Sequence, residues 1–191
     1  MYDIIHNNKE ILAKCEELHI TPLIIGEEIE LVNKQVKTGQ ALITISTSSN
    51  REILESNIDA ITNIEENNKE DFLHHRRSGL DQIQLNTLKQ RNNAYIANLH
   101  SIRESKEPEK MLGRIQQNIR LAKKKNVPII LASFANKPEE LPSTHDQEAT
   151  WRALGIPIDV VKNNQEEIRK LLERGKRRAS KEYVAEGIHK T

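Results

Sequence analysis

Apolar residues along the chain fall into two kinds of pattern, and the two kinds alternate. Short runs with little internal alternation occur at residues 2–5, 22–25, 42–46, 58–64, 94–99, 128–133 and 156–161. Runs of this length without a polar face predict strands covered on both sides. Between them apolar positions recur every three or four residues, which predicts helices. The first follows an Asn7 or Asn8 cap and buries Ile11, Leu12, Cys15 and Leu18. A second carries Ile29, Val32 and Val36. Further helices start at Ser48 or Ser49, at Ser78-Gly79 with Leu80, Ile83, Thr87 and Leu88 inward, and at Thr144 or Asp146. Asn164, with Glu167 three residues on, forms a capping box for a last, basic helix to Arg178.

Met111 to Ser133 organises the rest. Leu112, Ile115, Ile119 and Ala122 share one side of a helix, and Arg114, Gln117, Leu121 and Lys124 the other. Lys123, Lys124 and Lys125 oppose the negative end of its dipole, and Asn126 and Pro128 stop it before the strand at 128–133. Seven strand-helix alternations in 191 residues predict an α/β fold with a parallel sheet, and a TIM-like (β/α) barrel of about seven strands in particular. No glycine-rich loop follows the first strand, which disfavours a doubly wound sheet. Residues 1–178 form the single barrel domain, and 179–191 a basic tail or short helix.

The net charge of +1 conceals a division. Residues 1–70 carry −7, 71–137 carry +8, 138–161 carry −4 and 162–191 carry +4. A protein that grips nucleic acid over its whole surface is usually basic throughout, so cation chemistry is confined to patches here. No apolar run is long enough to span a bilayer and the start has no signal-peptide form, so a cytoplasmic protein without membrane contact is expected. Cys15 is the only cysteine, which excludes an internal disulfide or a cysteine-rich zinc site.

Candidate catalytic groups are sparse. The adjacent pair His74-His75 lies in a polar loop, His6, His100 and His145 are scattered, and Ser133 has no nucleophile-elbow glycines around it. Neither catalytic residues nor a metal site is expected. Candidate binding groups are cationic. Arg76-Arg77-Ser78 precedes a predicted helix start, where N–H groups and guanidinium groups could hold a phosphate, or where Ser78 could simply cap. Arg114, Arg120, Lys123 and Lys124 share the central helix. Arg51 follows a strand, where barrels place ligands, and could equally pair with Glu55.

Four segments carry a resemblance: 50–55 (NREILE), 77–80 (RSGL), 114–133 and 149–155 (ATWRALG). In this order they resemble ribonuclease P protein component 3, over about residues 42–178. The resemblance implies a barrel similar to metal-dependent phosphoesterases, in a subunit supporting RNA-catalysed removal of the 5′ leader from precursor tRNA. It implies three kinds of partner: ribonuclease P RNA, other protein subunits including a small partner, and precursor tRNA in the assembled complex. It also implies no cofactor on the protein and magnesium for the RNA. By the same resemblance Arg51, Arg76, Arg77, Ser78, Arg114, Arg120, Lys123 and Lys124 are RNA or partner contacts. The related phosphoesterases begin with His-x-His after the first strand, where this chain has His6-Asn7-Asn8. A metal-dependent phosphoesterase is the alternative reading.

Overall fold

Six of the seven predicted strands form, and a seventh comes from a segment whose spacing predicts a helix. The computed structural model describes residues 1–35, 41–66, 70–71 and 76–179, and the backbone of 183–185 and 188–189. In chain order its elements are β1 (Tyr2–His6), α1 (Lys9–Glu17), β2 (Thr21–Ile25), β3 (Ile29–Val32), β4 (Ile43–Ser46), α2 (Arg51–Leu54), β5 (Ala60–Ile61) and α3 (Gln82–Gln90). There follow β6 (Ala94–Asn98), α4 (Leu99–Glu104), α5 (Pro108–Lys125), β7 (Ile129–Ala132), a 3-10 turn (Pro138–Glu140), α6 (Thr144–Ala153) and α7 (Ile158–Ala179). The seven strands pair in sequence order, all parallel. Past Ala179, where a tail or short helix was expected, β8 (Tyr183–Ala185) and β9 (Ile188–His189) pair antiparallel. Among the described residues no helix is long and apolar enough to cross a membrane.

Closure of the barrel is uneven along the seam between β7 and β1. At one end Phe134 N–H donates to Ile4 O and His6 N–H to Ala135 O, an Ile5–Ala135 bridge. Midway the Asp3 carboxylate accepts Ser133 N–H at 2.9 Å. At the other end the strands part and α7 fills the gap. Asn164 accepts from Leu131 N–H at 2.7 Å and donates to Leu131 O at 2.8 Å. Its neighbour Gln165 does the same for Tyr2, at 2.7 and 3.0 Å. Two side-chain amides thus satisfy strand edges that an eighth strand would otherwise pair.

Fully buried Ile4, Ile29, Ile43, Ile45, Ile96 and Ile130 belong to one core cluster. Burial of such a side chain stabilises by about 1.5–3 kcal/mol. Ile168, Leu171 and Leu172 of α7 join that cluster, and α7 crosses the end of the barrel at which the strands begin. There Gly175 lies against the Leu42 carbonyl with no room for a Cβ, and Arg178 clamps Asp59 at 2.6 and 2.7 Å. A second cluster lies between the sheet and the outer helices, with Tyr95, Leu131, Ile115, Ile119 and Trp151.

Two segments depart from their predicted state. Residues 29–36 were expected to be helical, but Ile29–Val32 is β3, joined to β2 by three residues. Parallel strands normally need a dozen residues between them. Here a single pair, Ile25 with Ile29, suffices because β3 begins where β2 ends. Gly26 makes the sidestep at φ +95°. Residues 156–161 were expected to be a strand, but α7 begins at Ile158, its first turn carrying Asp159 and following Pro157. Asn164 is accordingly inside the helix and caps nothing.

Candidate functional site

α7 closes the end where strands begin, which leaves the mouth at their other end open, and the mouth gathers residues from separate loops. β1 ends at His6, and α4, continuing straight from β6, carries His100 in its first turn; the two rings have centroids 6.2 Å apart. His100 Nδ1 lies 3.1 Å from Glu140 Oε2 in the turn after β7. Asn136 N–H donates to the same oxygen at 2.8 Å, and Arg103 donates to the Glu140 carbonyl at 2.9 Å. Burial works against ionisation of Glu140, but the Asn136 N–H and His100 outweigh it and hold its pKa below the usual value. Burial, reinforced by the charge of His100, lowers His6. Glu66, also at the mouth, is raised by burial although His100 opposes the shift. Glu104 completes a group with His100 and Glu140 whose ligand atoms all lie within 4.8 Å.

The sequence reading missed this gathering, because residues 6, 100, 104 and 140 meet only through closure of the sheet. The signal available was topological: His6 ends β1, His100 and Glu104 lie on the helix that continues β6, and Glu140 lies in the connection after β7, so all come from the ends of strands. His145, by contrast, is exposed, and His74 and His75 lie outside the described residues. Cys15 is buried on α1, and burial pushes its thiol up to about 11, so it is a core residue and not a nucleophile.

Two of the segments that carry the resemblance meet in one hydrogen-bonded clamp. From α5, Arg114 donates to the Asp71 carboxylate at 2.9 Å and to the Glu65 carbonyl at 2.9 Å. Gln117 donates to Arg76 O and Ser78 Oγ, each at 2.8 Å, and Asn118 to Ser78 O at 2.7 Å and Glu65 Oε1 at 2.6 Å. Tyr95 O–H donates to the same Glu65 oxygen. Burial raises the pKa of Glu65 and, with Glu65 beside it, of Tyr95. At Asp71 burial is outweighed by Arg114, and the carboxylate pKa is lowered.

Neither a family model nor a curated protein matches the chain. A solved structure does. It is the "cryo-EM structure of archaeal Ribonuclease P with mature tRNA", one of whose chains is similar over 98% of this chain and 87% of its own, with 15% identity and a TM-score of 0.67. At that identity the likeness is one of fold.

Set in that fold, the predicted contact residues separate. Arg114 was expected on the outer side of α5 but is 3% exposed, held inside by Asp71 and Glu65. Ser78 is buried at 2%, and the helix it was expected to open starts later, at Gln82. Asp81 caps that helix and Gln84 returns the bond, so a carboxylate already takes the place a phosphate would fill. Arg77 N–H donates to Asp71, while the exposed Arg76 guanidinium lies across Gly113 of α5. Arg51 is exposed and paired with Glu55 at 2.7 Å. Arg120, Lys123 and Lys124 remain on the surface, with Lys123 paired to Asp159 at 2.7 Å.

The end of α5 lies beside α7. Lys123, Asn126, Pro128, Asp159, Glu167 and Lys170 line a groove of about 410 Å³ between them. Lys176 and Arg177 extend the cationic face along α7. Among the described residues Arg120, Lys124, Lys176 and Arg177 are exposed and form no ion pair. Such groups keep their charge available for a polyanion.

Proposed function

We propose that this chain is a protein subunit of a cytoplasmic ribonuclease P, and that it supports removal of the 5′ leader from precursor tRNA by an RNA catalyst. The observation that carries the reading is the shared fold over 98% of the chain with a chain of an archaeal ribonuclease P structure. The four resembling segments support it independently. In this role the magnesium serves the RNA, and the protein contributes shape and cations. The surface groups Arg120, Lys124, Lys176 and Arg177 neutralise phosphates, displacing counterions as the RNA packs against the closed end of the barrel. Arg114 and Ser78 act at one remove, by tying Glu65, Asp71 and residues 76–78 to α5. Partners are the ribonuclease P RNA, precursor tRNA in the assembled complex, and other protein subunits, including a small one.

The test is reconstitution of the cognate RNA and protein subunits with and without this chain. Leader removal should fall markedly on its omission at moderate magnesium, and unchanged cleavage would remove the reading. A metal-dependent phosphoesterase is the second reading, favoured by the meeting of His6, His100, Glu104 and Glu140 at the mouth. Turnover of a generic phosphodiester by the isolated chain with divalent metal, lost in His6→Ala, would decide for it.

A further inference from the structure

The proposed subunit role makes no use of the side chains at the open mouth. The end of β1, the helix that continues β6 and the turn after β7 supply them, and those strands are neighbours around the closed sheet. His100 and Glu104 stand four residues apart on α4 and so share a helix face. Glu140 comes from the turn after β7, and His6 from the last position of β1.

We infer that these residues bind one first-row divalent cation, zinc or manganese, with His100, Glu104 and Glu140 as ligands and His6 as the fourth. Zinc holds nitrogen and oxygen ligands at about 2.0–2.2 Å, which puts neighbouring ligand atoms of a tetrahedron roughly 3.4 Å apart. His100 Nδ1 and Glu140 Oε2, at 3.1 Å, already stand near that spacing. The full set of three lies within 4.8 Å, and Glu104 is exposed, so rotation of its free side chain closes the remainder. Two imidazoles with two carboxylates suit zinc or manganese, whereas magnesium favours oxygen ligands and retains its waters. Supports for the ligands are in place, since Asn136 N–H and Arg103 fix the Glu140 carboxylate and backbone. A plain His100–Glu140 ion pair would account for the 3.1 Å contact alone. It gives no reason for a second carboxylate, Glu104, to converge on the same point with a second imidazole, His6, in the neighbouring position at a ring separation of 6.2 Å, and an ion does.

Metal content settles the matter. Full-length chain, stripped with chelator and dialysed against micromolar zinc or manganese in millimolar magnesium, should retain one equivalent. His100→Gln with Glu140→Gln should weaken retention at least about 100-fold, while His145→Ala, which alters an exposed histidine outside the cluster, should retain it in full. The unfolding temperature should rise with zinc for the natural chain and not for the double variant. Glu104→Gln, a change at an exposed side chain that leaves folding intact, should weaken binding about tenfold. The inference is overturned if the natural chain retains no more metal than the double variant, if Glu104→Gln binds equally well, or if His145→Ala loses the ion.

Discussion

Asp3 shows how one residue can carry both closure and pH dependence. It is fully buried on β1, where its Oδ1 accepts Ile4 N–H and Ser133 N–H, each at 2.9 Å, while Oδ2 has no hydrogen-bond partner. Burial pushes its pKa up to about 6 from 3.8, against the pull of those hydrogen bonds. The folded state therefore binds this proton more tightly than the unfolded chain does. The stability it contributes is complete below about pH 4 and is lost as pH rises through 6, roughly 3 kcal/mol in all. Asp3→Asn keeps an oxygen for the seam but cannot titrate. Denaturant unfolding from pH 4 to 7 should show the variant losing less stability than the natural chain across that window. Parallel profiles would mean that Asp3 is ionised throughout.

At the scale of elements the informative case is α7, whose start was read as a strand. Ile156, Ile158, Val160 and Val161 make a short β-branched run, and a run of that length does not distinguish a strand from the first turn of a helix. The rest of the pattern does, since Val161, Asn164, Ile168, Leu171, Leu172 and Gly175 lie at helical spacing and are all buried. Asn164 among them looks like a cap in sequence because nothing local announces that a strand edge waits opposite. The opposite exchange at β3 has the same origin, as its partner positions Ile43 to Ser46 are fourteen residues away. The barrel class was legible because alternation of strand and helix patterns is local, whereas the count of seven came out only because the strand missed at β3 offset the one misread at the start of α7. The seam, the mouth cluster and the inward turn of Arg114 were not legible, because each depends on which elements meet. Arg114 sits at an outward helical position, yet Asp71 and the Glu65 carbonyl hold it inside. Asn164→Ala should leave both backbone groups of Leu131 buried without partners, at about 1–3 kcal/mol for each group. Denaturant titration should show a loss of at least 2 kcal/mol, and a smaller loss would mean that β7 and β1 re-pair without α7.

Across the whole molecule charge is divided along the barrel axis. The mouth holds Glu66, Glu104 and Glu140, with Glu27 bonded to Asn7 and the cations Arg103 and Lys106 beside them, while at the closed end Lys123 and Lys170 are paired with Asp159 and Glu167 and the unpaired charges are Lys124, Lys176 and Arg177 with Arg120 above. In the proposed role, the unpaired cations would draw an RNA toward the closed end in preference to the mouth and so set its orientation before contact. Salt separates this from general stickiness, because each phosphate contact that is lost removes about 0.7–0.9 from the slope of log affinity against log salt. Replacing Arg120, Lys124, Lys176 and Arg177 together with alanine should lower the affinity for the cognate RNA most at low salt. The slope should fall by about three, and the gap from the natural chain should narrow as salt rises. All four side chains are exposed, so each change should cost no more than about 0.5 kcal/mol of fold stability. Glu27→Gln at the mouth should leave the slope where it was. A quadruple variant that binds with the natural slope would exclude the closed end as the RNA face and leave the mouth, against its charge, as the surface to test next.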